Sequence, residues 1–145
     1  MNLDAAFGRP PLVLLVVPSA SSRHWMWRAL NHAFGVLEAG SARGARDWID
    51  RRPDIDALIV ENELPDARGV DFVHNLAATQ HPAASRAIVL ARPSPDWGRI
   101  AQRPGATLIE RGDLRGVINK LAGWFLARDA NLVRALMREA ERLGA

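Results

Sequence analysis

At 145 residues the chain has room for one ordinary domain, and its 48% apolar and 24% charged residues are the balance of a globular protein rather than a disordered or fibrous one. It has no cysteine, which excludes disulfide frameworks, thiolate zinc sites and thiol nucleophiles. The net charge of +3 is unevenly placed: residues 1–110 hold 12 arginines against 12 acids, so the excess belongs to residues 111–145 and is too small to point to nucleic acid.

The first apolar run, Leu12 to Val17, is apolar at every position and rich in β-branched residues, which predicts a strand buried on both faces. With Arg9 ahead and Pro18-Ser19-Ala20-Ser21 behind, it imitates a secretory signal in outline. It is shorter than the apolar core such a signal needs, however, and Asp4 stands where the segment should be basic. It is also far short of the ~20 residues that span a bilayer. A cytoplasmic protein without a membrane segment is expected.

Ser21 or Ser22 can cap a helix carrying Trp25, Ala29, Leu30 and Ala33. Trp25 and Trp27 are two residues apart on that helix and cannot share a face. Gly35-Val36-Leu37-Glu38 predicts a second strand nearer an edge. Ser41 caps a helix with Ala42, Ala45, Trp48 and Ile49 on one side, stopped by Pro53. Ala57-Leu58-Ile59-Val60 is a third strand, followed by a helix opened by Gly69, bearing Val70, Val73, Leu76 and Ala77, and ended by His81-Pro82. Ala87-Ile88-Val89-Leu90-Ala91 is a fourth strand. Ser94-Pro95 reads as a cap with proline at the first helical position, and Pro104-Gly105 closes that helix. Thr107-Leu108-Ile109-Glu110 is a fifth strand, and Asp113 caps a helix presenting Leu114, Val117, Ile118, Leu121 and Phe125.

Five β-α repeats imply parallel βαβ units, right-handed crossovers and helices on both faces of the sheet. The fold class is therefore α/β: a doubly wound five-stranded parallel sheet. With strand order 2-1-3-4-5, the ligand crevice lies beyond the C-terminal ends of the first and third strands. That brings together Pro18, Ser19 and Ala20 with Glu61, Asn62 and Glu63.

The segment Glu61-Asn62-Glu63-Leu64-Pro65-Asp66-Ala67-Arg68-Gly69 resembles the response-regulator receiver (CheY-like) family, in which an acceptor Asp ends the third strand, a hydrophobic-Pro pair follows and a Gly comes four residues later. Leu64-Pro65 and Gly69 stand at those offsets from Glu61, and Gly105-Ala106 matches the Gly-Ala pair before the fifth strand. The resemblance spans nearly the whole chain and marks residues 10–127 as a receiver-like domain. It also implies a degenerate phosphoacceptor pocket. Pro18 and Ser19 replace the acids that hold Mg²⁺ in the family, Glu61 the acceptor aspartate and Ala91 the hydroxyl residue. The lysine position falls on Gly112 by direct count, or on Arg111 if the loop is one residue shorter, and Leu108 stands where active members carry an aromatic switch.

Mg²⁺ takes carboxylate, phosphate and water oxygens in near-ideal octahedral geometry, and a single carboxylate offers it little. Glu61 is also a methylene longer than aspartate, which displaces its oxygens by roughly an ångström from in-line geometry. No cofactor and no magnesium are expected, and no enzymatic activity. Glu61 either imitates a phosphorylated state, paired to Arg111, or is vestigial. His24, His32, His74 and His81 offer no metal site, and acyl-transfer, dinucleotide and P-loop signatures are missing.

Residues 128–145 extend beyond a receiver. Asp129-Ala130-Asn131 restarts an amphipathic pattern through Leu132, Val133, Leu136, Met137, Ala140 and Leu143. A helix of this length is marginal alone, so its stripe must be covered. Self-association is the favoured expectation, because five helices already cover the sheet; folding back on its own domain is the alternative. Trp97, Trp124, Leu132 and Leu136 are the interface candidates. They lie on the face of the fourth and fifth helices, the usual partner face of the family, and on the extension.

The function implied is a non-catalytic, receiver-like signalling module of a two-component (phosphorelay-type) circuit, acting on a protein partner. A homodimer is possible, and neither nucleic acid nor membrane is expected to bind. Two alternatives stay open: an atypical phosphoacceptor, and a regulator that contacts nucleic acid through its basic C-terminal helix.

Overall fold

A computed structural model describes residues 9–95, 97–101, 106–126 and 129–144. Five strands, β1 (Leu12–Val16), β2 (Gly35–Ala39), β3 (Ala57–Glu61), β4 (Ala87–Ala91) and β5 (Ala106–Glu110), form one parallel sheet in the order β2-β1-β3-β4-β5. All residues of β1, β3 and β4 are buried, while β2 and β5 at the edges are only partly covered, as their more polar sequences predict.

Six helices follow: α1 (Ala20–Leu30), α2 (Ala42–Arg51), α3 (Gly69–Ala78), α4 (Trp97–Ala101), α5 (Leu114–Phe125) and α6 (Ala130–Arg142), with a 3₁₀ turn at Pro82–Ser85. The period-2 alternation of the strands divides the core into two layers. Val13, Leu15, Ile59, Ile88 and Leu90 face α1, α5 and α6; Leu14, Val16, Leu58, Val60 and Val89 face α2 and α3.

Two helix starts differ from the sequence expectation. The cap of α1 is Ser19, which accepts from Ser22 N, not Ser21 or Ser22. The β1 ladder runs one bond further, Val17 N donating to Ala39 O at 3.0 Å, so the chain turns immediately at Pro18. In the fourth helix Ser94 and Pro95 precede the helix rather than begin it; Trp97 N closes a turn on Ser94 O. Pro104 and Gly105, read as its stop, lie outside the described residues.

The larger correction concerns α6. Asp129 caps it, accepting from Leu132 N at 3.0 Å, and the helix folds back onto α1 and α5. Leu136 and Ala140 are fully buried there, and Leu132, Val133, Met137 and Leu143 pack around them. Trp25 Nε1 donates to Leu143 O at 2.9 Å, locking the end of α6 to α1. Leu136, offered as an interface residue, is therefore core of its own chain. The physical reason is that the helices on this face do not finish covering it: Phe34 and Phe125, in edge contact at 6.2 Å, lie in the apolar surface that α6 joins. Arg115 with Glu141, an exposed pair at the rim, adds little, and His32 lies 3.7 Å from the largely covered Glu139 carboxylate. No helix among the described residues is long and apolar enough to cross a membrane.

Candidate functional site

The C-terminal ends of β1, β3, β4 and β5 converge on Glu61. Pairing of Glu61 with Leu90 ends the β3–β4 ladder, and Asn62 N continues it by one bond to Leu90 O at 2.8 Å. Asn62 is buried and holds the following loop at both ends: its carbonyl accepts from Gly69 N and its Oδ1 from Val70 N. The loop returns so closely that a Cβ on Gly69 would lie 2.5 Å from Glu61 O, so the backbone path itself requires glycine. Between these anchors Leu64 N bonds Ala67 O, and the Asp66 carboxylate accepts from Ala42 N and Arg43 N at the start of α2. Those two amide bonds hold the Asp66 carboxyl below its usual range.

Glu61 is 6% exposed. Burial pushes its pKa up; Arg111 partly offsets this, Glu63 reinforces it, and Arg92 opposes it through charge. Arg111 N donates to Ala91 O at 2.9 Å, which fixes the start of the β5–α5 loop, and Arg111 Nε lies 3.3 Å from Glu61 Oε1. Of the two candidates for the family's lysine position, Arg111 therefore makes the contact. Gly112, at φ +95°, supplies the turn that brings Asp113 into place as the cap of α5.

Glu61, Ala91 and Arg111 line one cleft of about 520 Å³ together with Asn62, Glu63 and Arg92. A second cavity of about 360 Å³, on the α1 side, shares Glu61, Leu90, Arg92 and Arg111 and adds Trp25, Met26 and Glu110. Pro18 and Ser19 line neither; Ser19 is engaged as the cap of α1. Arg92 and Arg23 escaped the sequence reading. The signal for Arg92 was available, a cation directly after a buried strand at the crevice edge. Arg23 had no local signal: its Nη1 donates to Val17 O at 2.6 Å and Pro18 O at 3.2 Å through the turn after β1.

Trp97 and Trp124 are both half-buried. Trp124 meets Phe125 edge-on at 6.3 Å and lies under Lys120 Nζ at 5.3 Å. Leu108 packs partly buried against the α2/α3 layer of the core.

The donor set around Glu61 does not fit the divalent ion that the resemblance implies. Glu61 itself is tied to a guanidinium, and the other nearby carboxylates, Glu63 and Glu110, are not gathered with it into a metal-binding group. A second cation, Arg92, stands beside Glu61, and a third, Arg23, occupies the carbonyls at the end of β1. A hard dication needs several oxygens and no competing charge. Among the described residues no group of three or more His, Asp or Glu side chains is arranged to hold a metal.

No family model matches the sequence, and no curated protein does. Solved structures do match. A chain of the CheX–CheY–BeF3–Mg complex from Borrelia burgdorferi aligns with a TM-score of 0.71 at 20% identity, over 83% of this chain and 93% of that one. A CheY-like receiver domain protein from Methanospirillum hungatei JF-1 aligns at 0.70 and 13% identity, over 85% and 99%. The chemotaxis protein CheY4 of Vibrio cholerae aligns at 0.68 and 21%, over 79% and 98%. With the strand order, the crevice and the Glu61–Gly69 loop in place, the chain has the fold of the CheY-like receiver domains of response regulators.

Proposed function

We propose that the protein is a non-catalytic, receiver-like signalling module that acts by binding another protein and is not phosphorylated. The observation that carries this is the buried Glu61 carboxylate, 3.3 Å from Arg111 at the strand end where the fold's relatives place an acceptor aspartate. An acceptor must meet an incoming phosphoryl group with its negative charge offset by a metal. Here the carboxylate is longer and already paired, and Pro18 and Ser19, after the first strand, bring no acid to it. Magnesium has no role in this reading, and Ala91 provides no hydroxyl to relay a change at Glu61. Trp97 and Trp124 are the partner-contact residues, half-exposed aromatics of the kind that anchor interfaces. A cytoplasmic location and a place in a two-component circuit follow from the same reading.

The test is incubation of the full chain with acetyl phosphate and Mg²⁺, followed by intact mass. No added phosphoryl group is expected, and a stoichiometric phosphoryl adduct on Glu61 would establish the atypical-acceptor alternative instead. Isothermal titration with Mg²⁺ alone should give no saturable heat.

A further inference from the structure

We propose that the cavity on the α1 side of Glu61 binds a free α-amino acid with an apolar side chain. Its volume of about 360 Å³ lies in the range of small-ligand pockets. Its walls divide by chemistry. Trp25 and Met26 on α1 form an apolar side, and Arg92 and Glu110 stand at the ends of the neighbouring strands β4 and β5. Ala91 pairs with Glu110 in the sheet, so Arg92 is one residue beyond that register position and the two side chains border the same opening. The other two charged groups of the cavity, Glu61 and Arg111, already neutralise one another. No salt bridge among the described residues engages Arg92 or Glu110; the Arg92 charge acts on Glu61 only at longer range than the Arg111 pair. What this leaves open to a ligand is one exposed cation, one exposed anion and an aromatic wall.

A simple anion would meet Glu110, and a simple amine would meet Arg92. A zwitterion meets both complements: its carboxylate pairs with the Arg92 guanidinium, its ammonium with the Glu110 carboxylate, and its side chain lies on Trp25 and Met26. Trp25 also donates to Leu143 O, so the wall of the cavity is joined directly to the end of α6. The inference is independent of whether Glu61 accepts phosphate, since no bond to Glu61 is made or broken.

The experiment is isothermal titration of the full chain with L-phenylalanine, with 3-phenylpropionate (the ammonium removed) and with phenethylamine (the carboxylate removed). Saturable one-to-one binding of L-phenylalanine is expected, with each analogue weaker by roughly tenfold or more, the loss of one charge-assisted contact. R92Q should bring L-phenylalanine down to the level of phenethylamine while leaving phenethylamine unchanged. E110Q should do the same relative to 3-phenylpropionate. Both positions are exposed, so the variants keep the fold. The proposal is overturned if L-phenylalanine gives no saturable heat up to its solubility, if either analogue binds as tightly, or if both variants bind like the parent.

Discussion

Glu61 and Asp66 stand five residues apart and titrate in opposite senses, because one is buried and the other is held by amides at a helix start. Burial raises the Glu61 pKa, so the native state holds that proton more firmly than the unfolded chain does. Its contribution to stability is present below the ordinary carboxyl value of about 4.3 and is lost as the pH rises through the native value. Replacing it in E61Q removes that loss. The melting temperature of E61Q should exceed that of the parent at pH 7, with the difference gone by pH 4; a lower value at pH 7 would mean that the Arg111 contact outweighs desolvation. Asp66 has the opposite sign: its depressed pKa gives stability above about 3.9 that is lost as the pH falls towards the native value. D66A should therefore melt below the parent at neutral pH and converge with it in acid, as thermal denaturation at a series of pH values would show. The place of Glu61 at the end of the third strand was legible in the sequence, because Leu64-Pro65 and Gly69 fix the count from it. The choice between Arg111 and Gly112 was not, since a one-residue difference in loop length leaves no trace in composition.

At the scale of elements, the strands were legible because three of them are apolar at every position, a pattern that only a doubly covered strand tolerates. Helix starts were less so. Three serines, Ser19, Ser21 and Ser22, follow Pro18 within four residues, and which one caps α1 is decided by Val17 pairing with Ala39, a contact between distant segments. Asp113 and Asp129 were legible caps because no competing hydroxyl or carboxylate stands beside either. The β3–α3 connection carries the strictest local demand. At Gly69 the start of α3 touches the last carbonyl of β3, and a methyl group there would sit 2.5 Å from Glu61 O. The backbone must give way on one side, either moving Glu61 in its strand or breaking the Gly69–Asn62 bond. G69A is expected to cost about 1–3 kcal/mol in denaturant unfolding, and to alter the shift of Arg111 Nε in a nitrogen-proton spectrum. A neutral effect on stability would show that the loop has more freedom than its bonds to Asn62 suggest.

For the molecule as a whole, the sheet order and both core layers follow from the alternation of strands and helices, whereas the place of α6 does not. An amphipathic stripe states that something covers it without saying what, and the sequence favoured a second chain. In the fold the stripe of α6 lies on its own domain, where Phe34, Phe125 and Trp25 belong to the apolar cluster it joins, and its short connection to α5 keeps its effective concentration there high. Leu136 and Ala140 are then fully buried within the chain and unavailable to a second copy. The full chain should therefore scatter light as a monomer. In L136D a carboxylate would have to enter an apolar layer without a partner, which favours release of α6 over burial. Release would expose the α1/α5 surface together with the stripe of α6, two apolar faces on one molecule and a basis for association. L136D should accordingly show a higher mass, rising with concentration, together with faster amide exchange across residues 130–142. If the unaltered chain is already a stable dimer, or if L136D remains monomeric with α6 still protected, the packing of this helix is not what keeps the molecule single.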